Sequence, residues 1–275
     1  MSAAAPHMRL DRLLANMGYG SRKDIATLAK AGHIVLDGAT VKVADMHVPV
    51  SPELAARMTI SGAPLDPPPG FALMLHKPLG VTCSHKEAGP LVYGLLPLRW
   101  RARKPAISTI GRLDKETSGL LLATDDGTLL HRIISPKSNV SKRYVVRLAR
   151  PLRGDEAEVL ASGTLMLESE DKPLLPVAME VVSSGEGQPQ GDVRGAPPLA
   201  LPARDLSLDA SSAGVVVRVT LHEGRYHQVR RMFAALGNHV TALHRDRIGG
   251  LELPADLAPG EWRVLGPDEV ARVLG

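Results

Sequence analysis

The first apolar positions of the chain recur with the period of a helix. Four of them stand at i, i+3, i+4 and i+7: Leu10, Leu13, Leu14 and Met17. This spacing predicts a short amphipathic helix that ends at Gly18 and Gly20. Ser21, with Asp24 three residues later, predicts the N-terminus of a second helix, and Gly32 predicts its end.

Two short apolar runs follow this helix pair. Residues 34–36 and 41–43 flank Asp37 and Gly38, a pair typical of the tight turn between two strands. The pattern therefore predicts a small β-hairpin. Together with the two helices, it indicates a compact αα–β module over residues 8–62.

Small residues and prolines mark the boundaries of the other segments. Four prolines predict a linker at 63–70, and the small residues at 1–7 predict a flexible leader. Over residues 71–275 short β-like runs mix with helical stretches such as 226–236, which is typical of an α+β domain. Within it, residues 183–214 are rich in Gly, Pro, Ser and Ala without periodicity and predict a flexible insertion.

The composition narrows the class of protein. Of 275 residues, 44% are apolar and 23% are charged, which is the ordinary usage of a globular chain. Cys83 is the only cysteine, which excludes an internal disulfide and a cysteine-based metal cage and favours a reducing compartment, the cytoplasm. No run approaches 18 apolar residues, so the sequence predicts no membrane span.

The charges are unevenly distributed along the chain. Residues 128–153 carry seven Lys and Arg and no Asp or Glu, whereas residues 154–214 carry three against eleven. A cluster of basic residues favours a polyanionic partner, because it releases condensed counterions from phosphates. The alternative is that the basic run is only a solvated surface.

A polar loop bounded by glycines, residues 111–119, precedes the apolar run 120–122. Such a loop at the start of a buried strand is where a scaffold presents reactive groups. Asp114 is a candidate nucleophile or base, and Arg112 is a candidate contact for a phosphate or a base. The structural alternative is that Asp114 and Thr117 only cap a turn.

A second candidate segment, residues 222–233, combines basic residues with an apolar helical face. Three of its residues are expected to face the interior: Val229, Met232 and Phe233. Either Arg230 or Arg231 can then point into a site. Four histidines stand in or near the segment: His222, His227, His239 and His244. They lack the spacing and the partners of a metal site, so we expect no metal and interpret them as polar or RNA-facing.

The third candidate segment is Lys142-Arg143-Tyr144, inside the basic run. Tyr144 either packs within a strand or offers a flat ring beside basic residues, the arrangement that stacks an extruded base. The sequence lacks the glycine-rich motifs that bind nucleotide cofactors. It therefore predicts no such cofactor.

The order of these motifs resembles that of the pseudouridine synthases of the ribosomal small-subunit synthase A type. The similarity rests on Gly111-Arg112-Leu113-Asp114, on Lys142-Arg143-Tyr144 and on residues 223–232. It extends over nearly the whole chain, since residues 8–62 look like an S4-type RNA-binding module and Lys77-Pro78 looks like the family's first catalytic-domain motif. The resemblance implies an α+β fold, with a small S4-type αα–β module before a catalytic domain whose sheet is mixed and largely antiparallel.

The resemblance also implies roles for individual residues. Asp114 would be the essential catalytic residue, with Tyr144 against the target base and Arg230 paired with Asp114. Arg112 would help to hold the flipped nucleotide. Contacts with RNA are expected from a further set of side chains: Lys77, Thr117, Lys142, Arg225, His227, Gln228, Arg9, Arg12, Arg22, Lys23 and Lys30.

The implied activity is the isomerisation of one uridine in small-subunit (16S) rRNA to pseudouridine by a cytoplasmic, monomeric enzyme. The partner would be this rRNA or an assembly intermediate of the subunit, with no membrane involved. Because the reaction adds nothing and changes no redox state, no cofactor is expected. Three alternatives stay open: a non-catalytic S4-containing RNA-binding or ribosome-assembly protein, an enzyme for large-subunit rRNA, and an Asp-dependent glycosidase that releases uracil.

Overall fold

The computed structural model describes residues 5–84, 89–183 and 214–275, which form an N-terminal module and a larger body. Among these residues, no helix is long and apolar enough to cross a membrane. The predicted insertion at 183–214 lies, apart from its two end residues, outside the described part of the chain.

The module contains both predicted helices, α1 (Leu10–Asn16) and α2 (Arg22–Lys30). The capping box is confirmed, because the Ser21 hydroxyl accepts a hydrogen bond from the backbone N–H of Asp24 and the Asp24 carboxylate accepts one from that of Ser21. The predicted apolar stripe of α1 is completely buried in the module's core. The other elements are β1 (His7–Arg9), β2 (Ile34–Leu36), β3 (Ala39–Thr40), β4 (His47–Pro49), α3 (Leu54–Arg57), β5 (Met58–Ile60) and β6 (Ala63–Pro64).

Backbone pairing sets the strand boundaries of the module. β3, β2, β5 and β6 form one antiparallel sheet in this order, and β1 pairs with β4. The predicted turn lies at Asp37 and Gly38, where both φ angles are positive. Three details differ from the sequence pattern: His7 belongs to β1, β6 lies in the range predicted as linker, and residues 41–43 lie outside a strand. A residue joins a strand when a partner N–H or C=O lies opposite, whatever its side chain.

The body is built on a nine-stranded sheet. Its strands are β7 (Ala72–Lys77), β8 (Ser108–Ile110), β9 (Ser118–Thr124), β10 (Lys142–Leu148), β11 (Ala178–Ser183), β12 (Val215–Leu221), β13 (Val240–Ile248), β14 (Leu251–Glu252) and β15 (Trp262–Val264). Its α-helices are α4 (Gly127–Ile134), α5 (Glu156–Ala161), α6 (Gln228–Ala235) and α7 (Pro267–Leu274). Short 3-10 helices lie at Val92–Leu95, Leu98–Ala102 and Pro136–Ser138.

The strand order is β11-β12-β10-β13-β9-β7-β15, with β8 beside β9 and β14 beside β13. Only the β9–β13 pair is parallel within this sheet. The α+β class and the mixed, largely antiparallel sheet are therefore confirmed. The predicted inward face of α6 is also confirmed, since its apolar residues pack with alternate residues of β10 and β12 in one core.

One row of residues crosses four central strands of the sheet. Tyr144 of β10 pairs with Arg245 of β13, Arg245 pairs with Gly119 of β9, and Gly119 pairs with Lys77 of β7. Since Lys77 ends β7 and Gly119 is the second residue of β9, this row lies at the edge where the loop 111–117 enters the sheet. Strand pairing thus brings two of the three candidate segments of the body, 111–119 and 142–144, to one place.

The module contacts the body directly. The backbone N–H of Lys104 donates to the carbonyl oxygen of Asn16 at 2.8 Å, and that of Asp66 donates to the Tyr19 hydroxyl at 2.9 Å. The guanidinium group of Arg99 lies 4.4 Å from the centre of the Tyr19 ring and forms an ion pair with Asp66. Backbone, aromatic and ionic contacts therefore connect the two parts of the chain.

Candidate active site

A buried lysine holds the loop that carries Asp114. The Lys77 ammonium group donates hydrogen bonds to the carbonyl oxygens of Pro78 at 2.9 Å and of Thr117 at 2.8 Å. The Lys77 side chain has no exposed surface. The geometry does not support the expected contact between Lys77 and RNA, because its donors fix the backbone of the loop.

Burial lowers the pKa of Lys77 to about 8, because an ammonium group loses its hydration inside the protein. The negative charges of Cys83 (as a thiolate), Glu116 and Asp114 act in the opposite direction, while Arg245 adds to the lowering. The loop thus encloses the Lys77 ammonium group, whose burial costs free energy. Among the described residues, its hydrogen bonds are to backbone carbonyl groups.

Gly119 allows this loop to lie directly against β13. Its φ of 109° favours glycine, and a Cβ atom added there would collide with the backbone of Arg245. The parallel pairing of β9 with β13 occurs at this contact. Any larger residue at 119 would push the strand that follows Asp114 away from Arg245.

The Asp114 carboxylate faces solvent at this edge, with 37% of its side chain exposed. The Nε2 atom of His227 lies 3.4 Å from its Oδ1 atom. His227 stands immediately before α6 with a φ of 49°, which is uncommon for residues other than glycine. This backbone turn directs the imidazole toward Asp114, so the two segments that the sequence singled out meet as a carboxylate–histidine pair.

Arg230 does not form the expected ion pair with Asp114. Its guanidinium group donates instead to the carbonyl oxygens of Glu116 at 2.8 Å and of Val240 at 3.1 Å. Within the described ranges, no Lys or Arg forms an ion pair with Asp114. One turn into α6, the side chain reaches the loop's backbone rather than its carboxylate. Arg230 therefore connects α6, the loop 111–117 and β13.

Tyr144 lies half-buried where two apolar clusters of the body meet. Its hydroxyl accepts a hydrogen bond from Nη1 of Arg245 at 3.3 Å, and Nε of Arg245 donates to the carbonyl oxygen of Leu120 at 2.8 Å. Only 2% of Arg245 is exposed, and its Nη2 atom has no hydrogen-bond partner among the described residues. The buried guanidinium group of Arg245 thus holds the Tyr144 ring in its orientation through the tyrosine hydroxyl.

Arg225 and Gln228 are also used inside the protein. Arg225 forms ion pairs with Glu223 at 3.0 Å and with Glu170 at 3.3 Å. The Gln228 side chain is buried and connects the Arg225 backbone to the Glu223 carboxylate. The geometry does not support the expected RNA contacts of these two side chains, because both hold the turn before α6.

Lys142 and Thr117 turn inward as well. The Lys142 ammonium group donates to the carbonyl oxygen of Val140 at 3.0 Å, and burial lowers its pKa. Thr117 is 1% exposed. Thr117 is enclosed by the protein, whereas Lys142 is half-buried with its ammonium group directed to a backbone carbonyl oxygen. Arg112, by contrast, is exposed beside Asp114.

The basic residues of the module divide into two groups. Arg9 and Arg22 both form ion pairs with Asp11, at 3.0 Å and 2.8 Å, and their hydrogen bonds lower the pKa of Asp11 to about 2. The side chains of the second group are exposed, without an ion pair to any described residue: Arg12, Lys23 and Lys30. Only the second group has its full charge available to a partner.

Two residues near Asp114 were missed at the level of sequence. Arg245 sits in β13 at a position where strand alternation predicts an inward side chain, and a charged residue there could have been noticed. Tyr226 precedes His227 in the basic motif; its ring is stacked on the imidazole with centroids 3.9 Å apart, and the residue is 71% exposed. The sequence feature that could have identified Tyr226 is an aromatic residue beside a basic motif.

Metal ligands are not grouped in the parts of the chain that the structure describes. No set of three or more His, Cys, Asp or Glu side chains there is arranged to hold a metal ion. The groups that converge on the loop are a carboxylate, an imidazole, a phenol and two buried cations. These groups can transfer protons and stack a base, while the two buried cations hold the protein around them.

Comparison with known proteins defines the class. The family model for RNA pseudouridylate synthases matches residues 72–235, and the model for the S4 domain matches residues 8–52. The chain therefore belongs to the RNA pseudouridylate synthase family. It is an RNA pseudouridine synthase with an N-terminal S4 domain, and its substrate is RNA.

The individual relatives agree with this assignment. Ribosomal small subunit pseudouridine synthase A of Escherichia coli (strain K12) is 36% identical over 271 residues, which are 97% of this chain and 100% of that protein. The protein of the same name from Vibrio vulnificus is 36% identical over 266 residues. A crystal structure of a pseudouridylate synthase covers 97% of this chain and 99% of its own, with 31% identity and a TM-score of 0.59. The family indicated by the order of the motifs is confirmed.

Proposed function

We propose that this enzyme converts a specific uridine of small-subunit ribosomal RNA to pseudouridine, with Asp114 as the catalytic carboxylate. The target class is supported by the similarity to small-subunit synthases over 97% of the chain. The observation that carries the role of Asp114 is its position. It is a half-exposed carboxylate on a loop whose backbone is fixed by the buried Lys77 and by Arg230.

The reaction needs one anionic group at the sugar or the base. The N1–C1′ bond of uridine breaks, the uracil rotates, a C5–C1′ bond forms, and the proton lost from C5 is balanced by one gained at N1. An ionised carboxylate can attack the sugar or the base, or accept the C2′ proton. All three routes require Asp114 as an anion beside the sugar or the base of the target nucleotide. The Nε2 atom of the His227 imidazole lies 3.4 Å from this carboxylate.

The target nucleotide must leave the folded RNA to reach Asp114. Extrusion costs a few kcal/mol of lost stacking. The Tyr144 ring, held by Arg245, provides a flat surface that offsets about 1–3 kcal/mol of this cost. We assign the exposed Arg112 to the RNA next to the flipped uridine. Lys77, Arg225, Arg230 and Gln228 act as positioning residues, since each holds the protein's own backbone or carboxylates.

The N-terminal module would bind the RNA away from the reacting nucleotide. Its exposed Arg12, Lys23 and Lys30 can contact phosphates without reading bases. Because backbone and ionic contacts join the module to the body, bound RNA is presented to Asp114 in a defined direction. We place the boundary between module and body in the segment 63–70, whose first two residues still pair with β5.

One assay tests the proposal. The purified protein is incubated separately with small-subunit rRNA, large-subunit rRNA and assembly intermediates of the small subunit. Pseudouridine is detected by its carbodiimide adduct, and the mass of the RNA is measured. We expect adduct formation at one uridine of the small-subunit RNA without a change in mass. Release of free uracil, adduct only in large-subunit rRNA, or no adduct at all would contradict the proposed function.

A further inference from the structure

Tyr226 is one of the most exposed apolar side chains of the described protein, although it lies next to the site. The residue is 71% exposed, whereas large aromatic side chains usually bury most of their area. Its ring is nearly coplanar with the His227 imidazole, with an interplanar angle of 15° and centroids 3.9 Å apart. One face of the tyrosine is therefore occupied by His227, and the opposite face is open to solvent.

His227 connects this exposed ring to the reacting group. Its imidazole stacks on Tyr226 and also lies 3.4 Å from the Asp114 carboxylate. The left-handed backbone of His227 fixes the direction of both contacts. The open face of Tyr226 is thus held at a short distance from the carboxylate by a rigid turn.

This surface is distinct from the one that faces the target base. Tyr144 is half-buried in the sheet, and its hydroxyl is held by Arg245. Tyr226 lies on the outside, before α6. When a nucleotide is extruded, its neighbours in the strand lose a stacking partner. An exposed aromatic face beside the site is the group that can replace this partner, since every base has a π-face.

We propose that Tyr226, supported by His227, is a stacking platform for an unpaired RNA base that neighbours the target uridine. This inference rests on the proposed function only in that RNA occupies the site at Asp114. The ligand is a nucleobase of the substrate strand other than the one that reacts. The platform stabilises the strand with the target turned out, without contacting the atoms that react.

The first test compares Tyr226→Ala with Tyr226→Phe in the full-length protein. RNA affinity is measured by titration of a fragment of small-subunit rRNA, and unfolding temperatures are measured alongside. We expect Tyr226→Ala to weaken binding roughly 5- to 150-fold, the range for loss of one stacked base. Tyr226→Phe keeps the ring and is expected to bind within about twofold of the unchanged protein. Met166→Ala removes another exposed apolar side chain and serves as the matched control.

The second test identifies the stacked base. The same titrations are repeated with RNAs that carry an abasic nucleotide at each position within two of the target uridine. The effect of Tyr226→Ala is expected to disappear at one of these positions and to persist at the others. The salt dependence of binding is expected to stay unchanged, because a phenol neutralises no phosphate charge.

Three outcomes would overturn the platform. In the first, Tyr226→Ala binds RNA as tightly as the unchanged protein. In the second, Tyr226→Ala loses the same affinity on every abasic RNA. In the third, kcat falls while the affinity for RNA stays unchanged. The last result would show that Tyr226 only orients His227. Binding requires no turnover, so the comparison of Tyr226→Ala with Tyr226→Phe judges the platform even on an RNA that is not modified. Failure of the small-subunit assignment is detected separately by the carbodiimide assay.

Discussion

The module and the body of this enzyme both carry conspicuous basic residues, but they use them in opposite ways. In the body, Lys77 and Arg230 are directed inward and donate to carbonyl oxygens of the catalytic loop. In the module, Arg12, Lys23 and Lys30 are exposed and form no ion pair with a described residue. The same residue types thus hold a backbone in one region and offer charge to solvent in the other.

The difference shows what each region contributes. A buried cation fixed to carbonyl groups gains no counterion release on RNA binding, whereas an exposed cation does. Under the proposed function, the loop that carries Asp114 is held by cations that bind its backbone, and the exposed cations of the module attract RNA phosphates. The two regions can be separated by experiments that measure kcat and the salt dependence of binding independently.

The largest expected effect is that of Asp114→Asn. Asparagine keeps the shape of the side chain but cannot act as an anion, so kcat is expected to fall by on the order of 10³-fold or more. RNA affinity is expected to stay within a few fold. Glu116→Gln, in the same loop and also a carboxylate loss, serves as control and should retain most activity, since Glu116 contributes its carbonyl oxygen to Arg230. Substantial turnover by Asp114→Asn would remove it from the catalytic role.

The pH dependence of stability tests the buried state of Lys77. Its pKa is about 8 in the folded protein, against 10.5 for an unperturbed lysine. Between these values the unfolded state binds more protons, so raising the pH stabilises the fold. Denaturant unfolding from pH 8 to 10.5 is expected to show a gain of about 3 kcal/mol relative to Lys77→Met, at 1.36 kcal/mol per pKa unit. If the stability of the two proteins changed with pH in the same way, Lys77 would lie in solvent. The contrast between the buried cations of the body and the exposed cations of the module would then fail.

Arg230→Met tests whether this arginine acts through the loop. Loss of its bonds to Glu116 and Val240 would loosen the backbone around Asp114, and we expect kcat to fall roughly 10- to 100-fold. The salt dependence of RNA binding should stay the same, because this side chain neutralises no phosphate. Arg230→Lys should recover part of the activity. Weaker binding with a shallower salt dependence would show that Arg230 contacts RNA phosphates, as we expect for the exposed cations of the module.

The smallest effect on chemistry is expected in the module. Arg12→Gln and Lys23→Gln should each reduce the slope of log affinity against log salt by about 0.7–0.9 for each phosphate that the variant no longer neutralises. The rate at saturating RNA should be unchanged. Lys172→Gln, a loss of charge outside the module, is the matched control and should leave the slope as it is. An equal slope for all variants would show that the module's exposed charges do not meet RNA phosphates.

Much of the fold was determined by local sequence pattern. The helical spacing of Leu10 to Met17, the capping box at Ser21 and the turn at Asp37 each depend on residues within a few positions, and each is present in the structure. The motif order identified the family, because it preserves the spacing of chemically distinctive residues along the chain. The strand boundaries were less predictable, since pairing of β6 with β5 depends on backbone groups that carry no side-chain signal.

The sequence indicated which residues belong to the site but not how they are arranged. Asp114, Tyr144 and Arg230 were singled out together, and the row from Tyr144 to Lys77 across four strands explains how distant segments meet. The sequence did not show which basic side chains face the protein's own carbonyl groups and which face solvent. Lys77 and Lys142 carry the same charge as Lys23, yet burial turns the first two toward carbonyl groups while the third stays in water.

The sequence by itself therefore determined the family and the α+β class and singled out Asp114 as the candidate catalytic carboxylate, because these depend on residue identity and local spacing. Tertiary structure decided the partners of that carboxylate. The turn at His227 brings an imidazole to Asp114 and leaves Tyr226 exposed, while Arg230 reaches the loop's carbonyl oxygen. Hydrogen-bond direction and burial are properties of packed elements, and a linear pattern of charges does not contain them.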